Sequence, residues 1–225
     1  MELQKILKTI YKVSKKEKTD VYVVGGYVRD LLLCRDQKKV LDFVVTGSGL
    51  EFTKKLDKKF SGLFGLSYGQ KGSLVEFPDF DTARYVFTKE NNEGKKEKLL
   101  EIEFAGARTE KYDDDSRKPE VESASLEEDL RRRDFTVNAM ARQVLPGGKL
   151  GEVIDLFDGG VDLKKKILRT PLDPDETFSE DPLRMMRAAR FAAQLEFAIE
   201  EKTLESIKRN IERLKIISAE RVQEE

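Results

Sequence analysis

VVGGYVRDLLL at residues 23–33, with LDFVV at 41–45, reads as a strand, a glycine pair, a helix and a second strand carrying one carboxylate. The apolar strand delivers bare backbone at Gly25 and Gly26, where no Cβ blocks the close approach of a ligand. From Tyr27 onward the residues suit a helix whose first amides face an anionic group. Arg29, in its first turn, can add a charge-assisted fork to a phosphate. Asp42, on the second strand, offers a hard oxygen of the kind magnesium takes. The pattern suits a nucleoside triphosphate and its metal. On turn chemistry alone, the same glycine pair also reads as a tight turn.

Composition narrows the classes. At 225 residues the chain suits one or two domains with a substantial core. Charged residues make up 38% of it, yet the formal net charge is −1, so contacts to nucleic acid must come from local clusters. No apolar run reaches the roughly 20 residues that cross a bilayer, and MELQKILKTIYK is an amphipathic helix rather than a signal peptide. A cytoplasmic protein is expected. The single cysteine, Cys34, excludes an internal disulfide and is expected as a small buried residue on the helix after the glycines. With no histidine, Ser-His and Cys-His triads are excluded.

Leu3, Ile6, Leu7 and Ile10 recur at helical spacing and predict a first helix. Residues 21–24 and 41–45 predict buried strands, and a helix around 50–60 turns Leu56 and Phe60 inward. Strands follow at 74–77, 82–87 and 99–104, with KENNEGKKEK (89–98) as a solvated hairpin loop. The whole is a mixed sheet with helices packed on one side, an α+β palm. Residues 109–125 read as a solvated acidic loop, its three aspartates 113–115 included, and LEEDLRRRDFTVNAMA (126–141) as a helix. Residues 150–170 read as short strands around the turn FDGG, and PLDPDETFSEDP (171–182) as a boundary. A helix then starts with Asp181 as cap and Pro182 in its first turn. Along it Arg184, Arg187 and Arg190 form a basic stripe beside Met185, Ala188, Ala189 and Ala192. By spacing alone, that stripe also reads as solvated charge.

Four segments in order carry a resemblance: GGYVRDLLL, EIEFAGAR (101–108), RRDFTVNAMA (132–141) and EDPLRMMRAARF (180–191). Together they resemble the class II tRNA nucleotidyltransferase and bacterial poly(A) polymerase superfamily. The resemblance implies a nucleotidyltransferase palm, or head, over residues 1–170 and a helical neck over 171–225. It implies Mg²⁺ held by Asp42 and Glu103, the latter as ligand or general base, although strand alternation alone leaves Glu101 and Glu103 as two solvent-facing acids. Gly25, Gly26, Arg29 and Arg133 would hold the triphosphate, with a weaker suggestion that Arg108 approaches a phosphate. Asp181 and Arg184 would read the base, because an aspartate accepts from an exocyclic amine while an arginine donates to a ring nitrogen or carbonyl. Cytosine and adenine share that edge pattern. Arg187 and Arg190 would help hold sugar or phosphate.

The implied reaction is template-independent addition of C and A to the 3′ end of tRNA from CTP and ATP. A poly(A) polymerase shares every motif found, and a nucleotide- or RNA-binding remnant is the third reading. The last is raised by Val40, which stands where the superfamily has the first carboxylate of a D-x-D pair. Carboxylates at i and i+2 share a strand face and can bridge two metals. Asp36, in the loop before the strand, is poorly placed to substitute. The Glu-Glu ending suggests a truncated chain with few phosphate contacts to RNA.

Overall fold

In the N-terminal helix α1 (Leu3–Glu17), Ile6, Leu7, Ile10 and Val13 are buried along one stripe. This computed structural model describes residues 3–35, 40–63, 70–91, 95–111 and 120–225. Asp36 and the aspartates 113–115 lie outside them. The chain divides into two units: Met1–Arg108 with Ser123–Leu126 and Ala141–Ile154, and Thr109–Glu122 with Glu127–Met140 and Asp155–Glu225.

The first unit is built on β1 (Val21–Val24), α2 (Gly26–Leu32), β2 (Val40–Val45), α3 (Gly49–Leu63), β3 (Gln70–Phe77), β4 (Thr82–Glu90) and β5 (Lys96–Gly106). Two short strands follow, β6 (Arg108–Lys111) and β7 (Glu120–Ser123), which pair with each other. After α4 (Leu126–Arg131), β8 (Met140–Leu145) and β9 (Lys149–Asp155) complete a seven-stranded sheet in the order β3-β4-β5-β2-β1-β8-β9. It is mixed: β2 and β5 run parallel, whereas β1 is antiparallel to both β2 and β8. The expected α+β sheet is therefore present.

α3 shows why one face is covered. Phe52, Leu56 and Phe60 fall four residues apart and all are buried. Phe43 and Phe104, on neighbouring parallel strands, stack at 4.9 Å, with Phe52 tilted against Phe104 at 5.6 Å. Since side chains alternate along a strand, Asp42 and Glu103 take the opposite face. Asp81 fixes the start of α3: its carboxylate accepts from the Gly49 and Leu50 amides at 3.0 and 3.3 Å and from Ser48 Oγ.

The second unit continues with α5 (Gly159–Lys165), β10 (Ile167–Leu168), α6 (Pro174–Glu180), α7 (Leu183–Leu195), β11 (Ala198–Ile199), α8 (Glu201–Asn210) and α9 (Ala219–Glu224). Phe135, Leu168, Phe178 and Phe191 are buried here, with Phe135 edge-on to Phe191 at 6.0 Å.

Several local expectations are corrected. The helix expected over 126–141 stops at Arg131, and a 3₁₀ turn at Thr136–Asn138 leads into β8. Asp134 explains the break: its Oδ1 accepts from the Phe135 amide at 2.7 Å and from Asn138 Nδ2 at 3.1 Å, a local alternative to helical bonding. The hairpin loop expected over 89–98 is much shorter, since β4 runs to Glu90 and β5 begins at Lys96. Cys34 is exposed rather than buried, because α2 ends at Leu32 and Cys34 turns left-handed at φ 52°. The short strands expected within 150–170 are present as β9 and β10, but FDGG leads into α5, with the Asp155 carboxylate taking the Gly159 and Gly160 amides at 2.8 Å each. Residues 171–182 also contain α6, capped by Asp173 with Pro174 in its first turn. Ala189, expected in the packing strip of α7, is exposed.

Candidate active site

On the open face of the first unit, the pairing register sets the geometry. Asp42 is the Cα partner of Glu103 across the parallel β2–β5 pair, and Val40 is the partner of Glu101. Glu103 in turn stands opposite Arg84 on β4. A row therefore runs Asp42–Glu103–Arg84 across three adjacent strands, on one side of the sheet.

Arg84 is engaged with these acids. Its Nη2 donates to Glu103 Oε2 at 2.9 Å and its Nε to the same oxygen at 3.1 Å, while Nε lies 3.0 Å from Glu101 Oε1. Glu101 also takes Lys98 Nζ at 2.7 Å. Burial works against the charge of Arg84, but Glu103, Glu101 and Asp42 together hold its pKa above the usual arginine value.

Magnesium fits this arrangement poorly. Val40 presents an isopropyl group in place of an oxygen, and Glu101 and Glu103 are already turned to cations of the chain. Among the described residues, no group of three or more acid, histidine or cysteine side chains is placed to hold a metal ion. The donors present do not form a two-ion clamp.

At the glycine pair, Gly25 takes φ 70° and ψ −138°, a conformation an L side chain rarely adopts. A Cβ at Gly26 would sit 3.4 Å from Arg29 Nη2, so the guanidinium lies over that glycine. No side chain caps the start of α2. The start of α3, by contrast, is filled by Asp81. Arg29 is buried and paired with the adjacent Asp30, with Nη2 to Oδ1 at 2.7 Å. Arg108 donates to Thr82 Oγ1 at 2.9 Å and to the Phe80 carbonyl, tying down the turn before β4.

The second unit gathers the remaining candidates into an arginine–carboxylate network. Arg133 reaches back to Asp129 at 3.0 Å, and Arg132 meets the other oxygen of that carboxylate at 2.8 Å. Asp129 is fully buried. Burial would raise its pKa, but Arg133 and Arg132 hold it below the ordinary carboxylate value. Arg184, also buried, donates to the Thr177 and Arg132 carbonyls at 3.2 and 2.8 Å and to Glu180 at 3.0 Å. Arg187 binds Asp134 at 2.7 Å, and Glu225 bridges Arg187 and Arg190 at 3.0 and 2.5 Å. Asp181 accepts from the Leu183 amide at 3.1 Å and fixes the start of α7.

The structure thus pairs Asp42 with Glu103 in register, groups Arg133 and Arg184 around Asp129, Glu180 and the Arg132 carbonyl, and groups Arg187 and Arg190 around Asp134 and Glu225. Sequence reasoning missed Arg84 and Asp129. Arg84 lies in a strand read only for its apolar pattern, and its link to Glu103 depends on register. Asp129 was legible in principle, being three and four residues before Arg132 and Arg133.

The poly A polymerase head domain family matches residues 21–169. A second family, described as a probable RNA and SrmB-binding site of polymerase A, matches 196–225. A CCA-adding enzyme of Lactobacillus helveticus is 39% identical over 208 residues, covering 92% of this chain and 45% of that protein. An A-adding tRNA nucleotidyltransferase of Aquifex aeolicus is 40% identical over 190 residues, covering 84% of this chain and 20% of that protein. The solved Thermotoga maritima CCA-adding enzyme complexed with tRNA is 33% identical, with a TM-score of 0.69, over 99% of this chain and 45% of that one. The chain spans less than half the length of these relatives.

Proposed function

Because the chain belongs to the poly A polymerase head domain family, we propose that it is the nucleotide-adding part of a cytoplasmic tRNA nucleotidyltransferase. The substrates are CTP, ATP and the 3′ end of tRNA. The 3′-hydroxyl attacks the α-phosphate and pyrophosphate leaves. The observation that carries this reading is the pairing of Asp42 with Glu103 on the open sheet face, at the strand neighbouring the Gly25 turn.

Within the first unit, Gly25 and Gly26 offer backbone to the triphosphate and Arg29 supplies charge beside them. Asp42 and Glu103 are the groups assigned to the reacting hydroxyl. Mg²⁺ belongs to this proposal as the ion the resemblance implies, but the donor set here falls short of it, and the roles named rest on side chains alone. Within the second unit, Arg133 is assigned to phosphate, Asp181 and Arg184 to the Watson–Crick edge of C and A, and Arg187 and Arg190 to sugar or phosphate. Arg184 already donates to Glu180, so base reading requires it to exchange that partner.

Incubating the protein with tRNA lacking its terminal CCA and with labelled CTP and ATP tests the reading. Addition of C and then A supports it. Addition of A alone, to one residue or to a long tail, replaces it with an A-adding enzyme or a poly(A) polymerase. No incorporation, together with retained nucleotide binding, favours a second reading, a binding remnant. Val40 and the engagement of Glu103 by Arg84 give that reading its specific support.

A further inference from the structure

The open sheet face carries three acids, Asp42, Glu101 and Glu103, in two neighbouring strands, and lacks the fourth oxygen-bearing side chain that position 40 would supply. Like charges this close on one face need a cation among them. A bound divalent ion is one answer. This chain contains another, a guanidinium forked onto two of the acids at 2.9–3.1 Å. The Phe77 ring lies 5.5 Å from the guanidinium carbon, adding a cation–π contact to the ion pairs.

We propose that Arg84 is the resident cation of this face: it occupies the charge position a divalent ion would need, and competes with that ion for Glu101 and Glu103. The proposal rests on the assignment of Asp42 and Glu103 as the reacting face. It makes Arg84 a positioning residue that sets how weakly the face holds a metal. The side chain of Arg84 is 40% exposed, so it can swing into water when an ion enters, and the competition is reversible. Val40 and Arg84 then belong together: with no carboxylate at 40 the face has lost an ion's donor and kept an internal counter-charge.

The test is a titration of the full chain with Mn²⁺ alone, without nucleotide, reading free ion by electron paramagnetic resonance. Arg84→Gln is expected to tighten Mn²⁺ binding at least about tenfold. Arg84→Lys, which keeps the charge, is expected to stay at the weak affinity of the unmodified chain. Adding Glu103→Gln to Arg84→Gln should remove the gain. Circular dichroism on each variant checks that the sheet is intact. Unchanged affinity in folded Arg84→Gln overturns the proposal, as does tight binding of two Mn²⁺ ions by the unmodified chain. Tightening in Arg84→Lys equal to that in Arg84→Gln would do the same, because the charge would then be irrelevant. The incorporation assay is a separate readout. A gain in Mn²⁺ affinity without nucleotide addition in any variant would leave the competition standing and count against the nucleotidyltransferase reading.

Discussion

The two units use the same ion pair, a guanidinium on a carboxylate, in opposite surroundings. On the sheet face Arg84 and Glu103 keep 40% and 32% of their side-chain surface in water. In the second unit Asp129 keeps none and Asp134 8%, against Arg132, Arg133 and Arg187. An exposed pair is worth little because water solvates both ions almost as well apart as together. A buried pair is costly to break from one side, since the remaining charge has no solvent to replace its partner. The Arg84–Glu103 pair can therefore exchange partners with a ligand at small expense, whereas Arg132 and Arg133, just after α4, are held in place before any ligand arrives.

The largest expected effect tests that contrast directly. Asp129→Ala leaves two arginines facing an empty, dry position and should destabilise the fold by about 3–5 kcal/mol. Glu103→Ala should cost no more than about 1 kcal/mol. Urea unfolding of the two variants measures both, and equal losses would remove the distinction between the units.

Next in size is position 40. Val40→Asp places a carboxylate two residues from Asp42 on the same face, and should raise metal-dependent incorporation at least about 100-fold, about 2.7 kcal/mol of transition-state stabilisation. Equal rates in the two proteins would show that Asp42 and Glu103 suffice, and the argument from a missing ligand would fail.

The contrast between the units also explains what could be read from the sequence. The palm was legible because strand alternation and the glycine pair act over a few residues: Phe43 and Asp42 take opposite faces whatever the rest of the chain does. The buried side of α3 was legible in Leu56 and Phe60 for the same reason. Arg84 was hidden, since its significance depends on the β4–β5 register, which alternation within one strand does not specify. In the second unit, Arg187 meets Asp134 across 53 residues of sequence and Arg184 meets the Arg132 carbonyl across 52. The break after α4 is not legible in spacing, since Asp134 falls on a helical face of the pattern while its carboxylate accepts from the Phe135 amide and ends the helix. The motifs located these arginines, but their present partners required the fold.

A smaller effect separates base reading from phosphate binding. Arg184→Ala should weaken CTP and ATP by about tenfold and reduce their advantage over UTP and GTP, because it removes a donor aimed at the base edge. Arg29→Ala should weaken all four triphosphates alike, since a phosphate contact carries no base information. Fluorescence titration of the four nucleotides against each folded variant gives the answer without requiring turnover. If Arg184→Ala kept the preference for C and A while Arg29→Ala abolished it, the two assignments would have to be exchanged. If Arg184→Ala changed stability alone, its bonds to Thr177, Glu180 and Arg132 would be its whole role.

The smallest effect is a dependence on pH confined to the acid side. Burial would raise the pKa of Asp134, but Arg187, the Asn138 amide and the Phe135 N–H hold it below the ordinary value. A carboxyl depressed in the folded state binds fewer protons there than in the unfolded chain, where its pKa is about 3.9. Its contribution is complete above about pH 4 and is lost as pH falls through the folded pKa. Each unit of depression corresponds to about 1.4 kcal/mol. Urea unfolding between pH 7 and pH 3 should therefore show a flat upper region and a falling lower one. Asp134→Asn lowers the plateau, because Arg187 loses that charge, and it makes the acid slope shallower without abolishing it, since Asp129 titrates in the same direction. An acid slope in Asp134→Asn as steep as in the unmodified protein would mean that Asp134 is not held by Arg187 in solution. The buried side of the contrast between the units would then rest on Asp129 alone.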